Sequence, residues 1–228
     1  MRARAKEADG KIFIFGGKWE PTRFASALNE RRITVTSLVP TQVHDLVNHE
    51  LFPPASLRLV IVGGAELPSP LKERGRELGW PLLASYGMTE TGSQNATDRL
   101  EEPGSSPGIP LLPGWEARIN EEGALQARGK GLFRGYVTPT GNLSSAKDDD
   151  GWFTSGDRAN LTKEGRIIPQ GRLDQKVKIL GEWVDLAELN RLWARLAPES
   201  HAGILAIPDE RRGHAIALIR EQGKTEAL

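Results

Sequence analysis

Tyr86-Gly87-Met88-Thr89-Glu90-Thr91-Gly92 gathers an aromatic ring, threonine hydroxyls and a carboxylate into seven residues. Tyr86 offers a face for stacking, Thr89 a hydroxyl for a phosphate oxygen, and Glu90 a hard oxygen ligand for Mg²⁺. Upstream, Gly63-Gly64-Ala65-Glu66 lets backbone approach a flat ligand. Each stretch also has a plainer reading. The glycine pair suits an ordinary strand-to-helix turn, and Tyr86 suits a core ring whose hydroxyl reaches water. Together, at the ends of neighbouring strands, they point to a nucleotide. Further on, Gly151-Trp152-Phe153-Thr154-Ser155-Gly156-Asp157 sets one carboxylate in a Gly-flanked turn. A carboxylate can accept two hydrogen bonds from a vicinal diol, the geometry of a ribose, though an Asp after Gly is commonly a plain turn residue. Gly171–Lys178 packs Arg172, Asp174, Lys176 and Lys178 around Leu173 and Val177; composition alone favours a solvated strand face.

The elements that must position these residues follow from periodicity. Lys11–Phe15 reads as a strand, and Phe24, Ala27 and Leu28 form one face of a helix that ends near Arg31–Arg32. Ile33–Leu38 is the next strand. A second helix carries Val43, Leu46, Val47 and Leu51 and is stopped by Pro53–Pro54. Leu57–Val62 reads as a strand buried on both faces. The following helix takes Ser69 as N-cap and Pro70 as its first residue and closes at Gly79, before a strand at Pro81–Ser85. Such alternation predicts a parallel sheet with crossover helices. After Gly92 come a Pro/Gly/Ser-rich loop at Pro103–Pro113 and hairpins at 117–128 and 158–170. Leu186, Leu189, Trp193 and Leu196 mark an amphipathic helix, and Ala202–Ile207 with His214–Ile219 a strand pair. A boundary is predicted near Leu173–Asp174, with residues 1–92 a parallel α/β part, 93–173 a β-rich subdomain, and 174–228 an incomplete small α+β domain.

Composition excludes whole classes of chemistry. Across 228 residues, 30 Lys and Arg balance 30 Asp and Glu, so no global field favours nucleic acid or an anionic membrane. The absence of Cys excludes disulfides, a Cys-type zinc site, an iron–sulfur cluster and a thiol nucleophile. Apolar runs such as Leu59–Val62 are far too short to span a bilayer, and a soluble cytoplasmic protein is the expectation.

Tyr86–Gly92, Trp152–Asp157 and Gly171–Lys178, in this order, resemble the adenylate-forming acyl/aryl-CoA ligases. Within that superfamily, Ser37-Leu38-Val39-Pro40-Thr41-Gln42 and the run from Tyr86 to Gln94 look most like the o-succinylbenzoate–CoA ligase branch of menaquinone synthesis. The resemblance implies ATP-dependent conversion of a carboxylate to its AMP ester and then to a CoA thioester, with ATP/AMP, Mg²⁺ and CoA as the small molecules. It implies that Gly63, Gly64 and Ala65 line the adenine, that Tyr86 stacks on it with Gly87 also at the nucleotide, and that Thr89 contacts the α-phosphate. Glu90 would hold Mg²⁺, and Asp157 would bind both ribose hydroxyls with Arg172 beside it. Asp174 would be the hinge of the small domain, and Lys178 and Gly181 would lie on the segment that turns toward CoA. Thr41, Gly87, Ser93 and Gln94 are the candidates for the acyl pocket.

The chain also departs from the family pattern. It holds no Ser/Thr/Gly-rich phosphate loop with Lys, and it ends before the point where the family carries a catalytic Lys in its small domain. Gly223-Lys224-Thr225 is no substitute, because position 218 is Leu where a P-loop needs Gly. Asn190 stands where the family commonly has Glu. The alternatives are a fatty-acyl- or coumarate-type ligase, or an adenylate-binding fragment without catalysis of its own. A third alternative is one half of an enzyme completed by another polypeptide, so the expected partners are a small-molecule carboxylate and either a second copy of this chain or a complementing fragment.

Overall fold

The computed structural model describes residues 9–99, 107–173, 176–180, 182–198, 200, 202–209, 211 and 213–220. It forms two units, one made of Met1–Trp115 and Lys130–Phe133, the other of Glu116–Gly129 and Arg134–Leu228. The division expected at Leu173–Asp174 falls inside the second unit, and Asp174 lies outside the described residues. So do Gly181 and Gly223–Thr225.

In the first unit, helix α1 (Pro21–Glu30) buries Phe24 and Leu28, the face that the spacing predicts. Strand β1 (Val35–Leu38), helix α2 (Pro40–Asn48), strand β2 (Leu59–Val62), helix α3 (Ser69–Glu77) and strand β3 (Leu82–Met88) follow. Strands β1, β2 and β3 pair in parallel, Leu38 opposite Val62 and Val62 opposite Ala84. The α/β class is as expected, but the sheet is mixed. A further strand, β4 (Ser93–Thr97), turns back antiparallel along β3. Phe24, Leu28, Val43, Leu46, Val60, Val62, Trp80 and Leu82 belong to one core, and the Trp80 indole donates to Leu51 O at 2.7 Å.

Several expectations need correction. Lys11–Phe15 is not a strand: it has no ladder partner among the described residues, and Phe15 instead packs edge-on against Phe24. Strand β2 is not buried on both faces, since Val60 and Val62 are buried while Leu59 and Ile61 are half-buried. Helix α2 stops before Leu51, and Ser69 is its helix's first residue rather than its cap, with Pro68 in the capping position. The three helices end alike. Arg32, Glu50 and Gly79 each take a positive φ, and the next residue's N–H reaches back to Leu28, Leu46 and Gly75 O respectively. That closure satisfies orphan carbonyls. Only Gly79 announces it in the sequence.

The second unit holds an antiparallel sheet in the order β10-β9-β6-β5. Its strands are β5 (Trp115–Ile119), β6 (Ala124–Gly129), β9 (Phe153–Leu161) and β10 (Ile167–Arg172). Strands β7 (Tyr136–Val137) and β8 (Leu143–Ser144) form a small hairpin. After β11 (Lys176–Ile179) and β12 (Glu182–Asp185), helix α4 (Leu186–Leu196) leads to the hairpin of β13 (Ala202–Asp209) and β14 (Gly213–Arg220). No helix among the described residues is long and apolar enough to cross a membrane.

The structure explains Asn190. Its amide donates to Leu186 O (2.9 Å) and Ile204 O (2.6 Å) and accepts from Ile204 N–H (2.7 Å), docking α4 onto β13. A carboxylate there would face two carbonyl oxygens. Asn190→Asp should therefore destabilise the fold by about 1–3 kcal/mol at neutral pH. Those carbonyls would raise the folded-state pKa of the new Asp. The protonated form, which regains a donor, keeps its stability below the unfolded pKa of about 3.9, and that stability is lost as pH rises through the folded value. Urea unfolding of the variant at neutral and acidic pH checks both the size and the sign.

Candidate functional site

Because β1, β2 and β3 are parallel, their C-terminal ends share one sheet edge, where open α/β sheets bind ligands. Thr41 lies exposed near the start of α2, just past β1, and Gly63, Gly64 and Ala65 follow β2. Tyr86 and Gly87 lie on β3, and Ser93 and Gln94 open β4. The topology thus brings every candidate of the first unit to one edge.

The glycines at that edge have different jobs. A Cβ on Gly63 would come 2.8 Å from Ser85 Oγ, whose hydroxyl donates to Val62 O at 2.9 Å and ties β2 to β3. Gly64 turns the chain at φ +86°, beyond the ordinary range of an L-residue. A Cβ on Gly87 would overlap Ser93 O and Gln94 Cα. Its missing side chain is therefore already required by the close approach of β4.

Tyr86, Gly87 and Met88 belong to the strand itself rather than to a loop after it. Thr89–Thr91 then makes a single 3₁₀ turn, closed by Gly92 at φ +68°. Sequence reasoning missed the residue that braces this turn. Thr91 is buried, and its hydroxyl accepts from Met88 N–H (3.0 Å) and lies within donating distance of Ser93 O (2.7 Å) and Met88 O (2.9 Å). A Thr directly before a left-handed Gly was the available signal. The brace leaves Thr89 exposed and Glu90 half-buried, and Glu90 O accepts from Phe133 N–H at 2.8 Å. Gln94 is half-buried, its amide donating to Thr97 Oγ1 at 2.8 Å.

In the second unit, Asp157 is not a turn residue. It sits within β9, directly opposite Arg172 on β10, and Arg172 Nη1 lies 3.3 Å from Asp157 Oδ1. The guanidinium passes over Gly156, where a Cβ would come 2.7 Å from Arg172 Nη2. Cross-strand register, not local turn chemistry, decides this position. Just before β9, the Trp152 ring lies 4.3 Å from the Arg118 guanidinium and 4.5 Å from that of Arg128, and its backbone N–H donates to Asp148 Oδ1 at 2.7 Å. The hydrogen bond from Arg128 holds the Glu116 carboxyl below the usual range. Lys178 lies on β11 opposite Trp183.

The donor set suits a hard cation held jointly with a ligand. Among the described residues no three His, Cys, Asp or Glu side chains cluster to hold a metal unaided. Mg²⁺ is commonly bound by one or two carboxylates together with substrate phosphates and water, and Glu90 on its braced turn fits that mode.

The profile of the AMP-binding enzyme family matches residues 9–137, more than half of the chain. The chain belongs to the AMP-binding enzymes. Among AMP-binding relatives, the 2-succinylbenzoate–CoA ligase of Bacillus pumilus is 28% identical over 220 residues, 91% of this chain and 45% of the ligase. A 3-[(3aS,4S,7aS)-7a-methyl-1,5-dioxo-octahydro-1H-inden-4-yl]propanoyl:CoA ligase of Mycobacterium tuberculosis is 30% identical over 204 residues, 86% of this chain and 40% of that enzyme. The o-succinylbenzoate CoA synthetase (MenE) of Bacillus subtilis in complex with the acyl-adenylate intermediate OSB-AMP superposes with a TM-score of 0.73. It is 27% identical, with 88% of this chain and 44% of that one covered. The same synthetase in complex with ATP and magnesium ion gives a TM-score of 0.73 at 25% identity, covering 88% of this chain and 44% of that one. This AMP-binding chain therefore spans less than half the length of the relatives it matches.

Proposed function

We propose that this chain carries adenylate-binding residues of an acyl/aryl-CoA ligase whose acid is o-succinylbenzoate. The observation that carries the reading is the convergence of Gly63–Ala65, Tyr86 and the Thr89–Glu90 turn on one sheet edge. Gly63, Gly64, Ala65, Tyr86 and Gly87 border the adenine, and Thr89 donates to an α-phosphate oxygen. Asp157, oriented by Arg172, accepts from the two ribose hydroxyls. Glu90 holds the cation, which when bound neutralises phosphate charge. Asp174 serves as the hinge of the residues that follow it, with Lys178 and Gly181 on the CoA side.

In the complete enzyme, the acid's carboxylate attacks the α-phosphorus of ATP and pyrophosphate leaves. The CoA thiolate then attacks the acyl carbon and AMP leaves. No nucleophile from the protein is needed, in keeping with a chain that lacks Cys. Thr41, Ser93 and Gln94 form the polar part of the acyl pocket and pair with the second carboxylate of succinylbenzoate. A second reading, a ligase for another carboxylic acid, is favoured by the propanoyl:CoA ligase relative at similar identity.

The test is calorimetric titration of this chain with non-hydrolysable sulfamoyl analogues of succinylbenzoyl-, benzoyl- and octanoyl-AMP. Polar groups left unpaired by the wrong acid discriminate strongly, so the succinylbenzoyl analogue should bind at least about tenfold more tightly. Equal affinities would remove the acid assignment and leave the adenylate site. Failure of all three analogues and of AMP to bind would remove the site itself.

A further inference from the structure

Asp98, just past the end of β4, reaches two other elements at once, β3 and α3. Its N–H donates to Ala84 O (2.9 Å), and Oδ2 accepts both from Ala84 N–H (3.2 Å) and from Lys72 Nζ (2.6 Å). The pair is well enclosed, with the Asp98 side chain 5% and the Lys72 side chain 18% exposed. Lys72 sits in the first turn of α3, the helix that the chain enters from the Gly63–Ala65 loop. Ala84 sits two residues before Tyr86, and its parallel partner is Val62, the residue before Gly63. One carboxylate therefore links the helix after the glycine loop to the strand that bears Tyr86. A buried ion pair is a poor route to stability, since apolar residues of the same volume commonly do as well. What the pair supplies is a fixed geometry between those two elements.

We propose that Lys72 and Asp98 are a positioning pair, setting the separation between the Gly63–Ala65 loop and Tyr86 so that both meet one adenine. Neither residue touches the ligand. The inference rests on the adenylate-site reading, and its test separates the two. AMP is titrated into the full chain by calorimetry, well below the unfolding transition of every variant. The series is wild type, Asp98→Asn, Lys72→Met, Lys72→Arg and Leu28→Ala, the last removing core volume on α1 away from the pair. Asp98→Asn keeps an acceptor for Ala84 N–H and loses only the charge, so it is the variant most able to fold.

Small misplacements at a site can cost up to about a hundredfold, so Asp98→Asn and Lys72→Met are each expected to weaken AMP binding about tenfold. Lys72→Arg should restore affinity to within about threefold, because it keeps the cation. Leu28→Ala should leave AMP affinity within about twofold while lowering the unfolding temperature, as cavity formation in a core does. Wild-type affinity in Asp98→Asn and Lys72→Met would overturn the proposal. So would a loss that Leu28→Ala reproduces in proportion to its lost stability. Absence of AMP binding by the wild type would instead overturn the adenylate site, and the positioning role with it.

Discussion

Replacing Asp157 with Ala is expected to weaken nucleotide binding by about tenfold or more. Hydrogen bonds to a charged partner are each worth roughly 1.5–3 kcal/mol, and this carboxylate is assigned two of them from a ribose. The fold should barely notice. The Asp157 and Arg172 side chains are 20% and 51% exposed, and partly exposed pairs of this kind contribute little to stability. Affinity and unfolding temperature should therefore separate. Titration with AMP, paired with a thermal melt, reads both. Asp157→Asn keeps the shape but loses the charge and should fall between wild type and Ala. An unchanged dissociation constant would leave Asp157 no more than the cross-strand partner of Arg172.

Gly87→Ala should be far more damaging to the fold than to any ligand contact. Its Cβ would overlap the backbone of Ser93 and Gln94, which cannot yield as the tip of a side chain can. Overpacking typically costs 1–3 kcal/mol and more where backbone must shift, so a loss of about 3 kcal/mol or more is expected. Gly64→Ala provides the contrast. It would strain a positive φ but meet only Val39 Cγ1 at 3.4 Å, a cost nearer about 1–2 kcal/mol. Urea midpoints for the two variants measure the difference. A Gly87→Ala protein of native stability that had lost AMP binding would show that this glycine serves the ligand instead of β4.

Periodicity made the helices legible: Phe24 with Leu28, and Val43 with Leu46 and Val47, are buried as their spacing requires. Strand β4 was not legible. Ser-Gln-Asn-Ala-Thr carries no apolar alternation, and it pairs because the Thr89–Thr91 turn returns it to β3. Ile12, Phe13 and Ile14 misled in the opposite direction, since apolar residues make a strand only where an edge is available to pair. The end of the first helix near Arg31–Arg32 could be read, but the left-handed closures at Arg32 and Glu50 could not, because neither residue favours the region it occupies. At the site, the motif residues could be picked out by type and spacing. The support from Lys72 and Asp98 could not, since they lie 26 residues apart. The family resemblance puts Arg172 beside Asp157, but the strand register that pairs them is visible only in the structure.

The first unit is discontinuous along the chain, resuming at Lys130–Phe133 after the β5–β6 hairpin, and Phe133 supplies the N–H that Glu90 O accepts. During synthesis, a nascent chain that has reached Trp115 holds every strand of the first sheet but not yet Phe133, whose N–H donates to that carbonyl. At roughly 5–20 residues per second, the donor emerges seconds after the acceptor, once β6 has also been made. The turn that bears Glu90 is therefore completed late, out of order with the sheet that carries it. A polypeptide cut at Trp115 to isolate that sheet would keep Glu90 and lose the peptide that holds its backbone in place.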